Sequence, residues 1–227
     1  MEIILHTADI GKDIKSLNNV LSSDVSAVEL DFVMTKDGIP VWTHSILPTQ
    51  FHSFESSANK DMLTLYDVLD INNHRRKLML DLKYIPKSIL KSKKFRKLLE
   101  YLNTYDEMQI QSLDLSFIKK LKEFNYSNFE IGFIINVLSK GLVSNVKKLS
   151  NIDFLAISSE LWEKRCGSYI EKCRSLYPNA KKFAWTWSTR EETEERIENF
   201  IDKDANGIIT EKPSFVRTLI NNKKNSN

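Results

Sequence analysis

The sequence predicts an α/β chain, a (β/α)8 TIM barrel with a small hairpin inserted after the second strand. Three observations predict it. Short apolar runs alternate with longer amphipathic segments along the whole chain, eight times over. The length of 227 residues suits one barrel and leaves little room for a second domain. No glycine-rich phosphate fingerprint follows the first strand, as it does in dinucleotide-binding doubly wound sheets.

In order, the strand candidates are 2–6, 27–33, 77–83, 107–112, 130–135, 152–158, 182–187 and 206–210. Helical patterns fall near 12–22, 64–72, 87–103, 114–124, 141–149, 160–176, 189–203 and 213–221. Several carry start signals. Asp114 precedes an amphipathic run, Ser188 and Glu191 have capping-box spacing, and Pro213 stands where a first helical turn tolerates it. Two segments leave the rhythm. Residues 34–44 read as a hairpin turning at Asp37-Gly38, with Ile39 to His44 as the returning strand. Residues 45–62, with Phe51, His52 and Phe54, read as a long loop of the kind that often serves function. One domain over 1–222 is expected, with a polar tail at 223–227.

Composition narrows the function classes. A net charge of +3 with scattered lysines marks no nucleic-acid groove, and the basic run Lys91 to Lys97 reads as the solvated face of a helix. Cys166 and Cys173 are seven residues apart. On a helix that is about 10 Å along the axis, too far for an unstrained disulfide. They read as packing residues. The N-terminal residues show no signal-peptide pattern, and no stretch has the length needed to cross a membrane. A cytoplasmic location is the expectation, with a small-molecule partner and no nucleic acid. The oligomeric state is left open.

In a barrel of this kind, chemistry is built at the C-terminal ends of the strands. Reading those ends in turn finds His6, then Glu29 and Asp31, then His44 after the hairpin. Asp81 and Lys83 follow, then Gln111, Trp185 with Trp187, and Glu211. Glu29 and Asp31 are two apart in a strand, so they share a face, with Leu30 and Phe32 on the other. Asp81 and Lys83 obey the same rule. Three converging carboxylates repel one another, and a hard divalent cation such as Mg²⁺ or Ca²⁺ resolves the repulsion. Lys83 either neutralises one of them in a salt bridge or grips an anionic substrate. His6 and His44, beside the acids, can serve as general base and general acid. Trp185 and Trp187 share a face and read equally as core packing or as an apolar wall for substrate. His74, at a helix end, reads as bland, and so does His52 in the loop.

The segment Ala27 to His44, AVELDFVMTKDGIPVWTH, resembles the signature of the glycerophosphodiester phosphodiesterase family. That signature has an E-x-D pair, a T-K-D-G turn and P-V-x-x-H in order. Weaker echoes run through the chain: LTLYDVL at 63–69, LDLK at 80–83, AWTWS at 184–188 and NGIITEKP at 206–213. The resemblance implies a barrel, a divalent cation and hydrolysis of a phosphodiester. It implies metal ligation by Glu29, Asp31 and Asp81, and acid-base work by His6 and His44. It further implies a phosphate contact for Lys83 and a pocket wall for Trp185. The chain departs from the family in having Thr7 and Ala8 after His6 where H-R-G is usual, in lacking P-E-N-T, and in carrying Ser45 after His44. Its third acid, Asp81, is one methylene shorter than the family's glutamate, a feature of the related sphingomyelinase D-like phospholipases. The expected function is therefore metal-dependent hydrolysis of a glycerophosphodiester to an alcohol and glycerol phosphate. Its rivals are phospholipase D-like action on a lysophospholipid or choline-type headgroup, and a non-catalytic metal- or phosphate-binding barrel.

Overall fold

The fold is a (β/α)8 barrel carrying one extra antiparallel strand. The computed structural model describes residues 1–7, 10, 12–43, 62–83, 85–124, 126–136, 152–163, 169–186 and 191–225. It divides into two compact units.

The first unit comprises Met1–His6, Val25–Ala27 and Gly132–Asn227. It holds β1 (Glu2–His6), the end of β6 (Phe129–Ile135), β7 (Phe154–Ser158), β8 (Lys181–Trp185) and β9 (Gly207–Thr210). These strands pair in the order β1-β9-β8-β7-β6, all parallel. Its helices are α6 (Ser159–Trp162), α7 (Tyr169–Leu176), α8 (Glu194–Asp202) and α9 (Pro213–Asn225). Gly132 of β6 is demanded by packing. A Cβ there would lie 2.1 Å from the Phe154 ring, inside any tolerable contact.

The second unit comprises Thr7–Asp24 and Val28–Ile131. It holds α1 (Ile14–Leu21), most of β2 (Ala27–Met34), β3 (Pro40–Trp42), α2 (Leu65–Asn72), β4 (Leu78–Leu82), α3 (Lys87–Leu90), α4 (Lys93–Leu102), β5 (Met108–Ser112) and α5 (Leu115–Glu123). β5, β4 and β2 are adjacent in that order, and β3 flanks β2. β2 is buried along its whole length, as expected of a parallel strand covered on both faces. The expected hairpin is present: Phe32, Val33 and Met34 pair antiparallel with Trp42, Val41 and Pro40. Gly38 turns it with φ +81°, a conformation open to glycine.

Side chains set most helix starts. Asp13, Ser92, Asp114 and Thr193 each accept a bond from a first-turn N–H, and Thr64 with Asp67 forms a full capping box. Two expected helices begin or divide elsewhere than the sequence pattern suggests. The 87–103 segment is two helices, because Ser92 leaves helical geometry (φ −80°, ψ 153°) to cap α4. Its lysines do face solvent, while Phe95, Leu98, Leu99 and Leu102 are fully buried, each contributing roughly 1.5–3 kcal/mol. α8 starts at Glu194 with Thr193 as its cap, and 187–190, which include the expected cap Ser188, lie outside the described residues. The carboxylates of Glu191 and Glu192 are bonded elsewhere. The 160–176 segment shows α6 and α7, with 164–168 outside the described residues. α9 runs on to Asn225. The returning strand is three residues long, and His44, Cys166, Trp187, Ser188, the 45–61 segment and the 141–149 helix lie outside the described residues. No helix among the described residues is long and apolar enough to cross a membrane.

Candidate active site

In the second unit, strand geometry assembles the acids as expected. Glu29, Asp31 and Asp81 are buried, with 3%, 1% and 6% exposure. Leu30, Phe32, Leu80 and Leu82 fill the opposite faces of the same strands. Asp31 and Asp81 are direct neighbours in the parallel register. Lys83 follows β4, its backbone N–H bonded to the Phe32 carbonyl, and its ammonium spans both acids. Nζ lies 2.7 Å from Asp31 Oδ1 and 3.2 Å from Asp81 Oδ2. Of the two readings left open for Lys83, the ion pair is present, and it reaches two carboxylates.

Glu29 and Asp31 offer oxygens within 4.8 Å of each other. Asp81 is not in that close set; its carboxylate meets Lys83 on the other side. Burial pushes the Asp81 carboxyl up to about 6, against the pull of Lys83 and with a further push from Asp31. Burial presses the Lys83 ammonium down, but Asp81 and Asp31 outweigh it and leave it above the ordinary lysine range. With all four groups ionised, three carboxylates and one ammonium leave two negative charges. The close oxygens of Glu29 and Asp31, in a cluster with that excess, are donors of the kind a hard divalent cation takes. Beside Asp81 in the register stands Gln111, buried, whose Oε1 has no hydrogen-bond partner among the described residues. A buried acceptor of this kind is costly unless a ligand or water supplies a donor.

The residue after His6 does different work here from an arginine. Thr7 is fully buried, and its hydroxyl donates to the Glu29 carbonyl at 2.9 Å. Lys12 donates to the Thr7 carbonyl and stands 4.8 Å over the Trp42 ring. A cation at this place was not foreseen, since nothing in the spacing of Lys12 distinguishes it from other lysines.

In the first unit, His6 Nδ1 meets Glu211 Oε1 at 3.2 Å, and an acceptor-only carboxylate there calls for the proton on Nδ1. The β1–β9 register, with Leu5 opposite Thr210, brings the two residues level. Trp185, half-buried, ends β8. Glu192, only 4% exposed, accepts from the Thr186 hydroxyl, the Thr210 hydroxyl and the Glu211 N–H. Sequence reasoning missed it. His74 fulfils its bland expectation: it stacks on Tyr105 at 4.8 Å. It borders a cleft of about 420 Å³ at the N-terminal ends of β4 and β5, away from the strand ends that carry barrel chemistry. Cys173 is a buried free thiol.

The class these observations define is that of (β/α)8 barrels with an acidic, lysine-bridged centre at the strand ends. No family model matches this chain, and no curated protein matches it. Solved structures do. A glycerophosphodiester phosphodiesterase from Parabacteroides distasonis is 16% identical, with 98% of each chain covered and a TM-score of 0.77. An Oleispira antarctica phosphodiesterase, in complex with the product sn-glycerol-3-phosphate, is 13% identical over 97% of each chain, with a TM-score of 0.73. A glycerophosphodiester phosphodiesterase from Agrobacterium tumefaciens is 14% identical, covering 94% of this chain and 97% of that one, with a TM-score of 0.66. The resemblance in the 27–44 segment therefore extends, as a likeness of fold, over nearly the whole chain. Shared fold alone does not carry chemistry, which rests on the site.

Proposed function

We propose that this protein is a phosphoric diester hydrolase that cleaves a glycerophosphodiester to an alcohol and glycerol phosphate, with a divalent cation, Mg²⁺ or Ca²⁺. The observation that carries the reading is the buried Asp31–Lys83–Asp81 arrangement with Glu29 on the same strand face, a cluster that keeps an excess of negative charge. The 27–44 signature and the fold shared with phosphodiesterases support it.

Glu29, Asp31 and Asp81 would hold the cation, which supplies a Lewis acid for a phosphate oxygen when bound. Lys83 is the group for the remaining phosphate charge, as a compact point cation already set between acids. His6 and His44 are the acid-base pair: one takes a proton from the nucleophile, the other protonates the leaving alkoxide. The bond from His6 Nδ1 to Glu211 leaves the lone pair on Nε2, the nitrogen that would do this work. Trp185 is the wall for the apolar part of the substrate. The substrate is a small lipid-derived diester, and the setting is cytoplasmic.

The test is hydrolysis of glycerophosphodiesters with Mg²⁺ or Ca²⁺, with and without chelator. Chelation should abolish turnover, and His44→Ala should lower kcat by about 10²–10⁴-fold. Activity that survives both overturns the scheme. One observation favours a second substrate class. With Thr7 buried and its hydroxyl spent on Glu29, no guanidinium fork follows His6 to grip phosphate. A lysophospholipid or choline-type headgroup is that alternative, and a head-to-head assay of the two classes separates them.

A further inference from the structure

We propose that Glu192 is a positioning residue: its buried carboxylate pins the end of β9 so that Glu211 holds His6 in its Nδ1–H tautomer. The proposal rests on the reading of His6 as an acid-base group.

Glu192 lies between β8 and α8, just ahead of the cap Thr193, in a stretch whose run of glutamates reads as solvent-facing helix. Yet it is buried, and three donors converge on it. Oε1 accepts from the Thr186 hydroxyl at 3.3 Å and from the Glu211 N–H at 3.0 Å. Oε2 accepts from the Thr210 hydroxyl at 2.7 Å, whose oxygen in turn accepts the Lys212 N–H at 2.8 Å. One side chain thus ties the end of β8 to the last residue of β9 and to Glu211 after it, and through Thr210 to Lys212. All of its partners are donors, which an acceptor-only carboxylate satisfies without conflict.

Two of those partners lie in the echo segments noted above, Thr186 in AWTWS and Thr210 in NGIITEKP. The third, the Glu211 backbone, carries the side chain that meets His6. The path is short: Glu192 fixes the Glu211 peptide, the Glu211 carboxylate takes the Nδ1 proton, and the imidazole keeps its lone pair on Nε2. An outer partner of this kind sets both the tautomer and the ring orientation of a working histidine. Displacement by as little as an ångström can cost about 10²-fold in rate. Glu192 reaches neither substrate nor proton; it acts through Glu211.

The experiment reads the imidazole directly. Long-range ¹H–¹⁵N spectra report the tautomer of each neutral histidine, and His6 is assigned by the signal lost in His6→Gln. The wild type should show Nδ1–H at His6. Glu192→Ala should admit the Nε2–H form and lower kcat on a glycerophosphodiester by roughly 10- to 100-fold, with KM little changed. Glu192→Gln, which keeps the volume and one acceptor, should recover most of both readouts. If Glu192→Ala does not fold, Thr210→Val, which removes one donor from the clamp, carries the same spectral test. A His6 tautomer unchanged in every folded variant overturns the proposal. A wild type without diester activity removes the reading of function, while the spectra still decide the role of Glu192.

Discussion

The acids of β2 and β4 and Glu192, between β8 and α8, are all buried, yet they are satisfied by different chemistry. Asp31 and Asp81 face a charge, Lys83, and with Glu29 they outnumber it. Among the described residues Glu192 faces no cation but three neutral donors, two hydroxyls and a backbone N–H. The first arrangement is electrically incomplete and invites a further cation. The second is complete as a hydrogen-bond clamp and invites nothing. Burial of a carboxylate therefore does not by itself mark a metal site; what matters is what the oxygens already touch.

The difference can be broken by experiment. The largest effect should come from Lys83→Met, which leaves Asp31 and Asp81 buried without their ammonium. A loss of about 3–5 kcal/mol is expected in urea unfolding with chelator present. Mg²⁺ or Ca²⁺ should restore part of it, and a variant indifferent to both ions would refute the incomplete-charge reading. Next is Asp81 itself. Its folded carboxyl titrates near 6, above the ordinary 3.8, so the folded chain holds the proton more tightly than the unfolded one. Stability of the metal-free protein should then rise as pH falls from 7 through 6 toward 4, by an amount on the order of 2 kcal/mol that Asp81→Asn lacks. Parallel pH profiles for the two proteins would contradict this. The smallest effect belongs to the clamp: Thr210→Val should cost about 1 kcal/mol, with no response to added cation.

Much of the first cluster was legible because period-two spacing is a strong signal. Glu29, Asp31 and Asp81 could be placed on one face from the alternation with Leu30, Phe32 and Leu80 alone. The eight strands were legible as short apolar runs between amphipathic segments, their boundaries shifting by one or two residues. The clamp was not. Glu192 finds Thr186, Thr210 and Glu211 across 6, 18 and 19 residues, separations that no periodicity links. Its neighbour Glu191, three residues after Ser188, supplies a competing pattern, a capping box. The division of 87–103 was readable in principle. Ser92, three residues before Phe95, is a cap signal that the continuous lysine face concealed.

The double grip of Lys83 bears on how such a protein would mature. Small metal-dependent domains often remain unfolded until their ion arrives, because nothing else holds their ligands together. On the proposed function, an internal ammonium that already quiets two of the three acids would let the chain reach its native form in an ion-poor setting and load afterwards. Stripping the ion would then switch the protein off without unmaking it, and returning the ion would switch it on again with no refolding step.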